Sequence, residues 1–189
     1  MKPVVLLPKE LQIKITGLFS YITKHDMKQL LIIRHAKSSW ANSNEADFDR
    51  PLNDRGRKNA PDMAERILKK NILPDVIISS AAKRTVETSL LMMKQLGLRQ
   101  QQLIMKQELY LAAPETILQT IISLDDAWQT AAIVAHNPGV TDFVNSLCEV
   151  KVDDMPTCAV YAIQIKTDSW KNFSKAAKAF LFFDYPKLL

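Results

Sequence analysis

From Met27 onward, short apolar runs alternate with segments whose apolar residues recur every three or four positions. Leu30 to Ile33 is a continuous apolar run of strand length, which predicts a buried strand. Ala60, Met63, Ala64, Ile67 and Leu68 fall at helical spacing, with Pro61 expected in the first turn. Val76 to Ile78 predicts a second buried strand. Val86, Leu90, Met93 and Leu96 mark the core face of a further helix, closed by Gly97. A third strand is expected over Leu103 to Met105. A helix follows Pro114, with Ile117, Leu118, Ile121 and Ile122 on one face. Ala131 to Ala135 predicts a fourth strand. Asn137-Pro138 then caps and starts a helix whose core face is Val140, Phe143, Val144 and Leu147. Val160 to Ile165 and Ala179 to Phe183 read as strands near the sheet edge. The alternation predicts an α/β fold: a three-layer sandwich with a mainly parallel central sheet flanked by helices.

The chain has 189 residues, enough for one domain with a short extension. Residues 1–26 stand apart as an N-terminal extension, and the domain is expected over 27–189. His25, in the extension, is given no role. The extension is interrupted by Pro8, Lys9, Glu10 and Lys14 and offers no small-residue cleavage site, so it is not read as a signal peptide. The apolar runs are shorter than the ~20 residues of a membrane span. Four glycines, with neither GxGxxG nor GxxxxGK[ST], remove the usual dinucleotide and nucleotide-phosphate loops. Cys148 and Cys158 form no CxxC and read as two buried, reduced thiols. A cytoplasmic protein, monomeric and without a membrane partner, is the expectation. The net charge of +5 tilts the chain toward anionic partners without making a case for nucleic acid.

Ligands of such sheets gather at the carboxyl ends of the strands. The first strand runs into Arg34-His35, and the second into Ser79-Ser80 with Lys83-Arg84-Thr85 one turn later. The fourth runs into His136-Asn137-Pro138. Two of the three histidines therefore share one rim with two arginines. Guanidinium groups grip phosphate oxygens in bidentate fashion, and the helix starting at Asn137-Pro138 is expected to turn free N–H groups toward them. A histidine in such an anion pocket serves as nucleophile or general base. Adjacent arginines repel a cation, so no metal is assigned to the His35/His136 pair and no cofactor is implied.

Arg34-His35-Ala36-Lys37-Ser38 resembles the RHG-type signature of the histidine phosphatase superfamily, and more closely that of its SixA-like phosphohistidine phosphatase branch. DFDRPLNDRGRKNAPDMA, ISSAAKRTVETS, ELYLAAPE, VAHNPGVTDF and the terminal PTCAVYAIQI…DYPKLL extend the likeness from Met27 to Leu189. Ala36 stands where the wider family carries glycine. The resemblance implies a phosphoglycerate mutase-like fold with His35 as nucleophile. Arg34 and Arg84 would bind phosphoryl oxygens, and His136 would complete the pocket as a hydrogen-bond donor. Arg50 resembles a further rim arginine, with pairing to Asp47 or Asp49 as its alternative. For Arg84 the alternative is pairing with Glu87. Ser38 either orients phosphate or makes a turn. Glu108 lies near the acidic position of acid-bearing relatives; it is the candidate general acid or a surface carboxylate. The expected substrate is a phosphorylated protein carrying phosphohistidine, with small phosphate esters next. The alternatives are a non-catalytic module that binds phosphorylated ligands, and a phosphoglycerate-type mutase, for whose helical insertions the length leaves little room.

Overall fold

The computed structural model describes residues 27–41 and 44–188. The 1–26 extension and His25 lie outside the described residues. The elements follow in the order β1 (Met27–Arg34), α1 (Asp54–Lys69), β2 (Val76–Ser80), α2 (Lys83–Leu96), β3 (Leu103–Lys106), α3 (Pro114–Ile122), β4 (Thr130–Ala135), α4 (Gly139–Leu147), β5 (Val160–Lys166) and β6 (Lys178–Asp184). They build one sheet of order β3-β2-β4-β1-β5-β6. The first four strands in that order run parallel, while β5 pairs antiparallel with both β1 and β6. Val160 to Ile165 is thus an interior strand, and β6 alone forms that edge.

The alternation of side chains along each strand divides the core into two layers. Leu30, Ile32, Ile78 and Ile133 face Ile117, Ile121, Val140 and Phe143 of α3 and α4. Leu31, Ile33, Ile77 and Val134 face Ala60, Met63, Ile67 and Met92 of α1 and α2. This is the predicted helix–sheet–helix sandwich. Among the described residues no helix is long and apolar enough to cross a membrane.

Several local expectations need correction. Strand β1 reaches back to Met27 because Lys28, although fully buried, donates its ammonium to the carbonyls of Asp126 and Trp128. Helix α1 starts at Asp54, where the Asn53 side chain accepts from the Gly56 N–H at 2.9 Å, so Pro61 lies inside the helix. The buried face of α2 is Arg84, Thr85, Thr88, Ser89, Met92, Met93 and Leu96, and Leu90 is exposed. Hydroxyls can be buried here because Thr88 and Ser89 donate to carbonyls one turn back, those of Arg84 and Thr85. Gly97 closes the helix in the left-handed conformation, as expected. Helix α4 begins at Gly139 with Pro138 as its cap; Asn137 precedes it. Of the two cysteines, Cys158 is buried but Cys148 only half-buried, with its sulfur 2.9 Å from the Tyr161 hydroxyl.

Candidate active site

At the carboxyl ends of β1, β2 and β4 lies a pocket of about 240 Å³ whose walls include Arg34, His35, Ser38, Arg50, Arg84, His136, Asn137 and Thr157. Residues far apart in sequence meet there because the parallel strands all end on the same side. The floor is the turn after β1. Its backbone is fixed from behind: the Cys158 N–H donates to the carbonyls of both Arg34 and His35 at 3.1 Å. From the other side the Lys37 carbonyl accepts from the Asn53 N–H at 3.0 Å. A Cβ on Gly56 would lie 2.3 Å from that same carbonyl, so only glycine lets α1 approach so closely.

His35 is buried, as are Arg50, Arg84 and His136. Its Nδ1 is 2.7 Å from the Ala36 carbonyl, which can only accept, so Nδ1 carries the proton and Nε2 presents its lone pair. Burial, with the positive charges of Arg84, Arg34 and Arg50, pushes its pKa down to about 3. His35 is therefore a neutral imidazole at pH 7. Arg84 Nε approaches that Nε2 at 3.3 Å.

His136, 5.1 Å from His35 between ring centres, is also held neutral, its pKa pushed to about 3 by burial, His35 and Arg84. Its Nε2 lies 2.8 Å from the Ser80 hydroxyl, whose oxygen accepts from the Ala82 N–H at 3.3 Å. Ser80 thus has a proton to give to Nε2, which leaves the His136 proton on Nδ1. That Nδ1 and Arg34 Nε are buried and have no partner among the described residues. Both belong to side chains of the pocket wall. Two orphaned donors beside permanent positive charge define a place for an anion.

The arginines differ in how they are held. Arg34 Nη1 donates to Asp154 at 3.1 Å and to the Met155 carbonyl. Arg84, nearly fully buried, gives Nη2 to Asp47 Oδ2 at 2.9 Å and Nη1 to the Asp47 carbonyl. Arg50 gives Nη1 to Asp47 Oδ1 at 2.7 Å, Nη2 to Ser38 Oγ and Nε to the Ser39 carbonyl at 3.2 Å. Asp47 also accepts from the Tyr110 hydroxyl at 2.7 Å. Burial works against its charge, yet Tyr110, Arg84 and Arg50 together hold the carboxyl below the usual range. Glu87 binds the Leu52 N–H and Arg57, not Arg84.

The structure brings together Arg34, His35, Ser38, Arg50, Arg84 and His136 and leaves Glu108 out. Glu108 is exposed in the turn after β3, 3.1 Å from the Lys106 ammonium. The start of α4 does not open onto the pocket either. A Cβ on Gly139 would meet the Ala112 carbonyl at 1.9 Å, and of this region it is Asn137, ahead of the helix, that lines the wall. The positively charged residues that line the pocket are Arg34, Arg50, Arg84 and Lys37. Among the described residues no group of three or more His, Cys, Asp or Glu side chains could hold a metal ion. Sequence reasoning missed Tyr110 and the double role of Asp47. Both sit inside the quoted DFDRP and ELY segments, but nothing in the sequence pairs them across so many residues.

Comparison with known proteins agrees with this geometry. Residues 30–111 match the histidine phosphatase superfamily (branch 1), a span that includes most of β1, the Asp47 loop and Arg84. An uncharacterised chloroplastic protein of Arabidopsis thaliana is 30% identical over 153 residues, 77% of this chain and 70% of that protein. A 2,3-bisphosphoglycerate-dependent phosphoglycerate mutase of Bifidobacterium longum is 32% identical over only 63 residues, 32% of this chain and 26% of the mutase. A solved chain from Agrobacterium tumefaciens, assigned as phosphohistidine phosphatase SixA, superimposes with a TM-score of 0.71 at 25% identity, covering 84% of this chain and 98% of that one. With its sheet order, its paired strand-end histidines and these likenesses in agreement, the chain belongs to the histidine phosphatase superfamily.

Proposed function

We propose that the chain is a phosphohistidine phosphatase that works through a covalent phosphohistidine on His35. The phosphoryl group sits between Arg34, Arg84 and the Nδ1–H of His136, whose donors take up the charge on its oxygens. His35 Nε2 attacks phosphorus in line; the bond to the leaving group breaks as the new P–N bond forms. Water then attacks the phosphoryl group on His35, releasing inorganic phosphate, which keeps the water's protons, and restoring the neutral imidazole. The fixed guanidinium charge does what a bound cation does in metal-dependent phosphatases.

The observation that favours phosphohistidine over esters is the state of the nearby carboxyls. An ester leaves as an alkoxide and needs a general acid, worth ~10² to 10⁴ in rate. Glu108 points to Lys106 outside the pocket, and Asp47 is held ionised by two arginines and a tyrosine. Neither has a proton to give at neutral pH. A phosphohistidine whose second ring nitrogen is protonated departs as neutral imidazole and needs none.

The test is a brief incubation of the full chain with a ³²P-labelled phosphohistidine protein, followed by rapid denaturation. Acid-labile, alkali-stable label on His35, absent in His35→Ala, together with phosphate release that persists after exhaustive chelation and is blocked by orthovanadate, is the expected result. Label on another residue type, or phosphate binding without turnover, overturns the proposal; the latter would describe a non-catalytic binding module.

A further inference from the structure

Two large apolar side chains stand in water at the mouth of the pocket. Trp40 is 72% exposed and Leu111 is 55% exposed, and both line the same pocket as His35 and Arg84. Neither belongs to the core clusters, so neither position is explained by packing. An exposed indole on a loose loop would also be mobile, but this one is braced. The Arg50 guanidinium lies over its ring, 3.3 Å from the ring centre. Arg50 in turn cannot swing away, because its three nitrogens are committed to Ser39, Asp47 and Ser38. Arg50 is therefore a fixed shelf on which Trp40 rests. Leu111 is aimed by its backbone, which adopts a φ of 49° that a leucine rarely takes.

Resting on the phosphohistidine reading above, we propose that Trp40 and Leu111 form a leaving-group subsite, an apolar clamp that receives the flat imidazole ring of the substrate while the arginines hold its phosphoryl group. Imidazole leaves neutral and offers a flat π face to the indole, which an open-chain aliphatic alcohol does not. Because stacking of this kind is weak per pair, it acts on selectivity, at a level of about 3- to 10-fold.

The experiment compares phosphoimidazole with phosphoramidate, which has the same P–N bond and no ring, on the full chain and its Trp40→Ala, Trp40→Phe and Leu111→Ser variants. In Trp40→Ala the kcat/KM for phosphoimidazole should fall at least threefold more than that for phosphoramidate, chiefly through KM, and Trp40→Phe should recover most of the difference. Equal losses on the two substrates, or none on phosphoimidazole, overturn the subsite. Wild-type turnover of both compounds is the separate test of the phosphohistidine reading. Independently of turnover, imidazole is titrated into the chain saturated with inorganic phosphate while the indole N–H resonance of Trp40, assigned by its loss in Trp40→Phe, is followed by NMR. A saturable shift supports the clamp; an unmoved resonance overturns it even if neither P–N compound is hydrolysed.

Discussion

Asp47 holds Arg84 twice, accepting through its carboxylate at 2.9 Å and through its own backbone carbonyl. The guanidinium is left with one orientation, in which Nε faces the His35 ring. The same carboxylate reaches Arg50, so a single acidic side chain sets the positions of two of the three arginines in the site.

Replacing Asp47 with alanine should therefore cost catalysis much more than stability. A reacting geometry loosened by about 1 Å typically costs ~10²-fold in rate. Steady-state kinetics on a phosphohistidine substrate, paired with thermal unfolding, separates the two effects. An Asp47→Ala enzyme with wild-type kcat/KM would show that Arg84 is positioned by other contacts.

The two pocket histidines give the fold a particular pH dependence. Both are held neutral when folded, at about 3, against an ordinary value near 6.5 in the unfolded chain. The unfolded state binds more protons throughout that window, so their contribution is fully present above pH 6.5 and is lost as pH falls below it. Each histidine adds a slope of about 1.4 kcal/mol per pH unit at most. Asp47, whose carboxyl is lowered from 3.8, acts in the same direction only below that value. Urea midpoints between pH 7 and 4.5 should therefore fall steeply in wild type and flatten in a His35→Gln/His136→Gln variant. Ring resonances of both histidines should not titrate between pH 8 and 5; a transition near 6.5 would contradict the enclosure described.

Two glycines separate site geometry from chain conformation. Gly56→Ala places a methyl 2.3 Å from the Lys37 carbonyl and should displace the turn that carries His35, lowering kcat by ~10²-fold. Gly97→Ala has open space around it but forces alanine to a φ of 70°, so it should cost about 1 kcal/mol in stability and leave kcat unchanged. Equal effects of the two on kcat would count against the role given to Gly56.

Glu108→Gln should leave hydrolysis of phosphohistidine and of small esters within twofold of wild type, because its carboxylate faces Lys106 and not the pocket. A drop confined to esters would mean that the β3 turn swings inward and supplies a proton.

The buried strands were legible because uninterrupted apolar runs such as Leu30 to Ile33 have few alternatives. The strand-end positions of Arg34, His35 and His136 followed from them. Lys28 was not legible, since a lysine signals water unless backbone carbonyls are known to await it. The face of α2 was misjudged for a related reason: Thr88 and Ser89 satisfy their hydroxyls within the helix and can be buried, while Leu90 is left outside. Pairings such as Asp47 with Arg84, or Tyr110 with Asp47, depend on where loops cross in three dimensions, and sequence spacing carries no signal of that.

The brace behind His35, the proposed nucleophile, has a consequence for the cell's oxidants. Cys158, whose backbone N–H ties down the turn at Arg34 and His35, is fully buried, and burial pushes its thiol up to about 12. Peroxide attacks thiolates, and this sulfur stays a thiol. Phosphoryl transfer on this protein is assigned to an imidazole nitrogen, which peroxide does not readily oxidise. Dephosphorylation here should continue through an oxidative burst that shuts down phosphatases dependent on a reactive thiolate.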